Sequence, residues 1–362
     1  MMKTLDMAGD LRGHHVLLRA DFDVPITDGS IADVFRTERQ KVQLQQLLDA
    51  GARVVVIAHI TATDSFTSLQ SRLEEILDVQ FTFLRSPEQL GEFWDGGEPL
   101  ALLENLRSWP GEEADAEEFA QKLAHGADIF VNNAFAVCHR AHASVAGIAR
   151  ILPSYAGELV VREVQQLASV ISAPAEGKVI FVGGAKGATK APVIRNLIGH
   201  AQYIAVGGVV ANDILKERGV DIDASQSDAN SRELLEGVDI DDTRLLVPED
   251  HVKDNGSIVD IGPQTAQRFA DAARSATLAV WNGPMGKFED ERFNAGTRIL
   301  AEAMAASSGF TVIGGGDTIA AVSACGIPLE KFDFISTGGG AMLAFLAGQA
   351  MPGLEALGYT HA

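Results

Sequence analysis

Short apolar runs alternate with amphipathic stretches along nearly the whole chain. Residues 53–59 read Arg-Val-Val-Val-Ile-Ala-His, a β-branched run too short for a helix and suited to a buried parallel strand. Residues 36–50 instead carry apolar side chains at helical spacing and stop at Gly51, which suits a helix C-cap. The same reading predicts strands at 15–20, 99–103 and 128–131, and helices at 68–77 and 114–124. In the second half the strands recur at 179–183, 203–206, 244–247, 277–281, 310–313 and 333–335. Strands separated by helical crossovers form an α/β fold with a doubly wound, mainly parallel sheet.

Residues 155–171 break this rhythm. They read as one helix, apolar at Leu159, Val160, Val164, Leu167, Val170 and Ile171, set between Pro153 and the breaker Ala173-Pro174-Ala175-Glu176-Gly177. The pattern fits a helix joining two lobes, and an ordinary crossover helix equally. With 362 residues, two domains of ordinary size are expected. The predicted division is a first lobe at 1–154, an interdomain helix at 155–172 and a second lobe at 173–351.

Four strands in the second half run directly into small residues: Val179–Lys186 (VIFVGGAK), Tyr203–Val210 (YIAVGGVV), Thr311–Thr318 (TVIGGGDT) and Phe334–Ala341 (FISTGGGA). A glycine turn before a helix lets backbone N–H groups approach an anion closely. One such turn can simply connect two elements. Four of them, two carrying Lys or Asp, point to a polyphosphate surface.

Composition narrows the function class. Apolar residues make up 46% and charged residues 22%, as in a soluble globular protein. Cys138 and Cys325 match no metal or redox spacing. No segment reaches the length of a membrane span and the start lacks the apolar core of a signal peptide, so the cytoplasm is the expected compartment. A net charge of −20 argues against nucleic-acid binding. It also makes each Arg or Lys inside an apolar or glycine-rich motif informative, because small anionic substrates need cations gathered locally.

In the first half those cations sit at strand ends, where open α/β sheets bind ligands. Asp21 and Asp23 lie on one face around Phe22, Arg36 starts a helix, His59 ends a strand, and Arg107 and Arg140 follow later strands. Together Arg36, His59, Arg107 and Arg140 would form one basic pocket, although each Arg taken singly reads first as a surface or ion-pair residue. His139 and His142, three apart and without a carboxylate partner, do not read as a zinc pair. In the second half Lys186 and Lys190 lie four apart, a spacing that on a helix start would aim both at one phosphate group. This is not the Walker A pattern. Asp317 fits a ligand for nucleotide-bound Mg²⁺ or a helix N-cap. The turn from Trp281 to Glu289 suits a nucleotide edge, with Trp281 and Phe288 also readable as core.

The motifs together carry a specific resemblance. RADFDVP at 19–25, ENLR at 104–107, HRAHAS at 139–144, GGAK at 183–186 with Lys190, DIGPQT at 260–265, WNGPMGKFE at 281–289, GGGDT at 314–318 and STGGGA at 336–341 resemble the phosphoglycerate kinase family in order and spacing. The resemblance implies two lobes, each a doubly wound sheet, joined by a hinge helix, with residues 352–362 packing back on the first lobe. It implies reversible phosphoryl transfer between 1,3-bisphosphoglycerate and Mg-ADP, giving 3-phosphoglycerate and Mg-ATP. Asp21, Phe22, Asp23, Arg36, His59, Arg107 and Arg140 would bind the phosphoglycerate. Gly184, Ala185, Lys186, Lys190, Gly208, Asn282, Glu289, Gly315, Gly316, Asp317 and Thr318 would bind the nucleotide, with Asp317 on Mg²⁺. Arg36 and Lys186 would stabilise the phosphoryl group in flight, and a monomer is expected.

Five positions depart from the family pattern. Asp23 stands for an asparagine, Ala62 for an arginine, Asn133 for an aspartate, Thr189 for an aspartate and Val209 for a glycine. The first two lie where phosphoglycerate would bind. They open two other readings: a kinase of the same mechanism on a less anionic carboxylate, and a nucleotide-binding protein without turnover.

Overall fold

The computed structural model describes residues 2–31 and 34–360. The chain divides into two compact units, Met1–Gln165 with Ala350–Ala362, and Gln166–Gln349.

The first unit is built on six parallel strands: β1 His15–Arg19, β2 Arg53–Ile57, β3 Thr82–Leu84, β4 Leu100–Leu103, β5 Ile129–Asn132 and β6 Ser154–Ala156. Their order is β3-β4-β2-β1-β5-β6, and every pairing is parallel. Successive side chains of β1 enter opposite cores: Val16 and Leu18 pack with Leu44, Leu47 and Phe66, and Leu17 with Phe93, Leu123 and Phe130. Burial on both faces is why the strands read as unbroken apolar runs.

The helix expected over 155–171 begins later. Tyr155 pairs with Val131 in β6, and the helix runs Glu158–Ser172. Gly157 marks the change, since a Cβ there would stand 2.4 Å from Asn133 Oδ1. That oxygen accepts from Leu159 N at 3.0 Å, so the unusual Asn133 caps the helix start. The boundary between the two units falls inside this helix. The helix expected over 36–50 is also broken, into Phe35–Glu38 and Lys41–Asp49. Near the C-terminus Pro352–Glu355 is helical. Gly353 N donates to Cys138 O and Lys3 N to Leu357 O, each at 2.9 Å, which ties this segment into the first unit. His361 and Ala362, part of the segment expected to pack back, lie outside the described residues.

The second unit repeats the plan with β7 Lys178–Val182, β8 Tyr203–Val206, β9 Leu245–Leu246, β10 Leu278–Asn282, β11 Phe310–Gly314 and β12 Phe334–Ser336. The order β9-β8-β7-β10-β11-β12 reverses direction between β7 and β10, so the loops after Val182 and Asn282 open at the switch point, where such folds bind ligands. An antiparallel hairpin, His251–Asp254 with Ser257–Ile261, was not expected. Its turn, Asn255-Gly256, has positive φ at both residues, the geometry that Asn-Gly hairpins supply.

Candidate functional site

In the first unit the expected acceptor residues gather beyond the C-terminal ends of β1, β2 and β4. Asp21 and His59 are buried at 2% exposure each. His59 Nε2 stands 3.4 Å from Asp23 Oδ2, without a well-directed hydrogen bond, and Asp21 Oδ2 is likewise buried with no partner. Two buried polar atoms left unsatisfied are costly in a finished core, and a polar ligand would satisfy them. Arg36 donates to the Asp23 carbonyl at 3.0 Å. Arg107 and Arg140 line a cavity of about 500 Å³ with Thr61, Thr63, Asp64 and Asn105. Burial, then the neighbouring Arg140 guanidinium, lowers the Arg107 pKa; two cations held so near each other create a demand for an anion. Arg107 also contacts the Glu113 carboxylate. The Phe22 ring belongs to the core: the residue is 1% exposed and its ring meets Phe66 edge-on at 6.1 Å.

The ENLR motif builds the floor of this cavity. Asn105 Oδ1 accepts from Ile60 N and Arg107 N, both at 3.1 Å. Its Nδ2 donates to Ile60 O at 2.8 Å and Thr63 O at 3.0 Å. Glu104 accepts from Phe66 N at 2.8 Å. The loop that carries Ala62 is therefore pinned at both sides. Asp23, where the family pattern has asparagine, is absorbed into the same frame: Oδ1 accepts from Thr61 N at 2.8 Å. Burial pushes the Asp23 pKa up, but His59 and the Thr61 N–H outweigh it and hold the carboxyl below its ordinary value.

In the second unit a cavity of about 320 Å³ is lined by Gly184, Ala185, Gly208, Glu289 and Asp317, all expected. Val209, Asn212, His251, Ile258–Ile261 and Met285–Phe288 also line it. The hairpin residues among them were missed, although Asn255-Gly256 was a signal that could have revealed the hairpin. Gly315 and Gly316 stand next to Asp317 at the start of the helix Gly316–Ala324, whose first N–H groups have no partner within the helix. Four strand–glycine–helix junctions are present, but their glycines serve packing as much as ligand approach. Gly183 N donates to Asn282 O at 2.9 Å and Gly184 N to Pro284 O at 2.7 Å. A Cβ on Gly208 would lie 2.4 Å from Gly184 O, and one on Gly283 2.1 Å from Gly183 O. The glycines let three loops touch backbone to backbone.

The two lysines do not share a helical face. Residues Gly187–Thr189 form a 3-10 turn and the helix starts at Ala191, so a spacing of four no longer aligns them. Lys186 is exposed. Lys190 is 9% exposed and donates to Asn282 Oδ1 at 2.9 Å. Burial lowers its pKa to about 8, against the pull of Asp317, with Lys186 adding to the decrease. Thr318 is committed internally, its Oγ1 accepting from Gly283 N at 2.7 Å and donating to Gly314 O at 2.8 Å. Trp281 is core, its indole N–H donating to Gly283 O at 2.7 Å. Asp317 is exposed on the cavity wall, and among the described residues no group of three acidic, His or Cys side chains could hold a metal alone. A single hard carboxylate at a glycine-rich helix start fits Mg²⁺ carried in with a nucleotide, which needs only one or two carboxylates.

A family model for phosphoglycerate kinase matches residues 5–349. The chain belongs to the phosphoglycerate kinase family. It is 35% identical to the phosphoglycerate kinase of Sphingopyxis alaskensis, across 98% of each chain. It is 36% identical to that of Moorella thermoacetica, across 96% of this chain and 97% of the relative. The solved phosphoglycerate kinase structure from Coxiella burnetii superimposes with a TM-score of 0.83 at 30% identity, over 99% of each chain. The one from Pyrococcus horikoshii OT3 gives 0.87 at 29% identity, over 99% of this chain and 98% of that one. The chain is thus a glycolytic kinase, a phosphotransferase whose acceptor is a carboxyl group, working on small molecules. No helix among the described residues is long and apolar enough to cross a membrane.

Proposed function

We propose that the chain interconverts 3-phosphoglycerate plus Mg-ATP with 1,3-bisphosphoglycerate plus Mg-ADP, with the glycerate held in the first unit and the nucleotide in the second. The observation that carries this reading is the paired Arg107 and Arg140 cavity beside the unsatisfied Asp21 Oδ2 and His59 Nε2. Guanidinium forks suit the phosphate. A substrate hydroxyl can donate to Asp21 and accept from His59, so a hydroxylated, phosphorylated carboxylate matches the set.

The chemistry asks little of the protein in proton transfer. A carboxylate is already ionised at pH 7, so its oxygen attacks the γ-phosphorus directly, a new P–O bond forms, and the bond to the β-phosphate oxygen breaks. What the site supplies is alignment and positive charge on the equatorial oxygens. Lys186 and Arg36 take that role, Lys190 and the Gly315–Thr318 turn bind the phosphates, and Glu289 binds the ribose. Mg²⁺, when bound with the nucleotide at Asp317, neutralises phosphate charge. An acyl phosphate hydrolyses readily, so water must be excluded as transfer occurs, which calls for hinge bending. We infer a cytoplasmic monomer.

The test is coupled turnover with ATP and 3-phosphoglycerate at millimolar concentration. Turnover that Lys186→Ala abolishes, with nucleotide binding largely retained, supports the assignment. ATP binding without turnover on 3-phosphoglycerate overturns it.

A further inference from the structure

Arg19 closes β1 with 0% of its surface exposed, and none of the roles above uses it. Each of its three nitrogens nonetheless has a partner. Nε donates to Ser144 Oγ at 2.9 Å, one terminal nitrogen to Ala20 O at 2.5 Å, and the other meets His59 Nδ1 at 3.0 Å. Behind it, Ser144 donates twice to Glu112, from Oγ at 2.6 Å and from its backbone N at 3.0 Å. Glu112 is 0% exposed and supplies the counter-charge that a buried guanidinium requires.

This geometry decides a question that coordinates usually leave open. A guanidinium has donors only and stays charged, so the ring atom facing it must offer a lone pair. His59 Nδ1 is therefore unprotonated, and the single ring proton sits on Nε2. An imidazolium would set N–H against N–H at 3.0 Å. The charged groups around the ring act in the same sense or are outweighed. Burial and Arg19 disfavour the imidazolium, while Asp23 and Asp21 favour it, with the net pKa below the ordinary histidine value. His142, 3.8 Å from Glu112 on the far side, is itself held down to about 4 by burial, then Arg107 and Arg140, and adds no charge.

We propose that Arg19 is a positioning residue for the acceptor, fixing His59 in the neutral Nε2–H tautomer so that one ring N–H stands beside Asp21 and Asp23 as a constant donor. Without Arg19 the ring could flip, exchange tautomers or gain a proton, and the donor would be present only part of the time. The relay Glu112–Ser144–Arg19–His59 thereby joins the HRAHAS and RADFDVP segments in one function. Asp23 keeps its charge for the Thr61 amide and faces a hydrogen-bond donor, not a cation. The inference rests on the acceptor-site reading above.

The experiment is long-range ¹H–¹⁵N correlation of the histidine rings at pH 7.5 on the full chain, with His59 assigned by the loss of its signals in His59→Gln. The proposal expects Nε2 protonated and Nδ1 bare in the wild type. A protonated Nδ1, or an imidazolium, overturns it. The companion variant is Arg19→Met with Glu112→Gln, which removes the buried pair together. It should mix the His59 tautomers and raise KM for 3-phosphoglycerate by about tenfold or more, leaving KM for ATP unchanged. A variant that folds and keeps both the tautomer and the KM defeats the proposal. If the variant fails to fold, the wild-type tautomer still decides. If His59→Gln leaves KM for 3-phosphoglycerate unchanged, the acceptor-site reading falls, and this inference with it. If His59→Gln raises KM but the tautomer is wrong, the inference alone falls.

Discussion

Lys190 should be a residue that the fold tolerates only for function. The residue is 9% exposed, its ammonium donates to one neutral partner, Asn282 Oδ1, at 2.9 Å, and burial takes its pKa from 10.5 to about 8. Below pH 8 the lysine is protonated in folded and unfolded states alike, and the folded state bears the full cost of burying the charge. That difference corresponds to roughly 3 kcal/mol. Lys190→Met removes the charge at nearly constant length but strands Asn282 Oδ1, a loss on the order of 1–2 kcal/mol. The variant should therefore be more stable than the wild type by about 1–2 kcal/mol at pH 7. The sign with pH is specific. Between pH 8 and 10.5 the unfolded chain binds the extra proton, so wild-type stability gains from this group as pH rises and the advantage of Lys190→Met shrinks. Urea unfolding of both proteins, followed by circular dichroism at pH 7 and pH 10, measures the gap. ATP affinity of the variant should fall roughly a hundredfold, since a desolvated cation on phosphate is lost. A variant less stable than the wild type at pH 7, or a gap that widens at pH 10, would refute the reasoning.

Other outcomes follow from the same geometry. Asp23→Asn with Ala62→Arg should raise kcat/KM for 3-phosphoglycerate about tenfold, since a carboxylate leaves the pocket and a cation enters; steady-state kinetics showing no change would remove these departures as determinants of affinity. Asn105→Ala breaks four hydrogen bonds around the Ile60–Thr63 loop, so it should cost about 2–3 kcal/mol in urea unfolding and raise KM for the acceptor, with KM for ATP unmoved. Asp317→Asn should raise the Mg²⁺ concentration for half-maximal activity about tenfold while leaving the acceptor KM alone; an unchanged Mg²⁺ titration would remove Asp317 from the metal.

What the sequence displayed, and what it hid, has a physical pattern. Val54, Val55 and Val56 are buried on both faces of the sheet, so their burial wrote itself into a continuous apolar run. The junctions at Gly184, Gly208 and Gly315 were legible because each turns through positive φ, a conformation that favours glycine. Their second role, backbone contact between the loops of β7, β8 and β10, was hidden, because it depends on which strands become neighbours. The same holds for Arg19, which reads like any strand-end arginine until Ser144 and His59, far away in the chain, enclose it. Lys186 and Lys190 misled because helical spacing was applied to a segment that folds as a 3-10 turn. Ser154–Ala156 is hidden by the helix pattern that follows at Glu158, since a strand of three residue pairs with β5 leaves no periodicity of its own. Asp23 looked like a charge placed against the substrate, yet it spends that charge on the Thr61 amide.

The division of substrates between the two units is tested most directly by amide chemical shifts on ¹⁵N-labelled protein, titrated separately with each ligand. 3-Phosphoglycerate should move Asp21–Asp23, His59–Thr63, Arg107 and Arg140 most. Mg-ATP should move Gly184–Lys190, Gly208, Val209, Met285–Glu289 and Gly315–Thr318 most. Largest shifts from 3-phosphoglycerate in the glycine loops, with the arginine cavity unmoved, would contradict it.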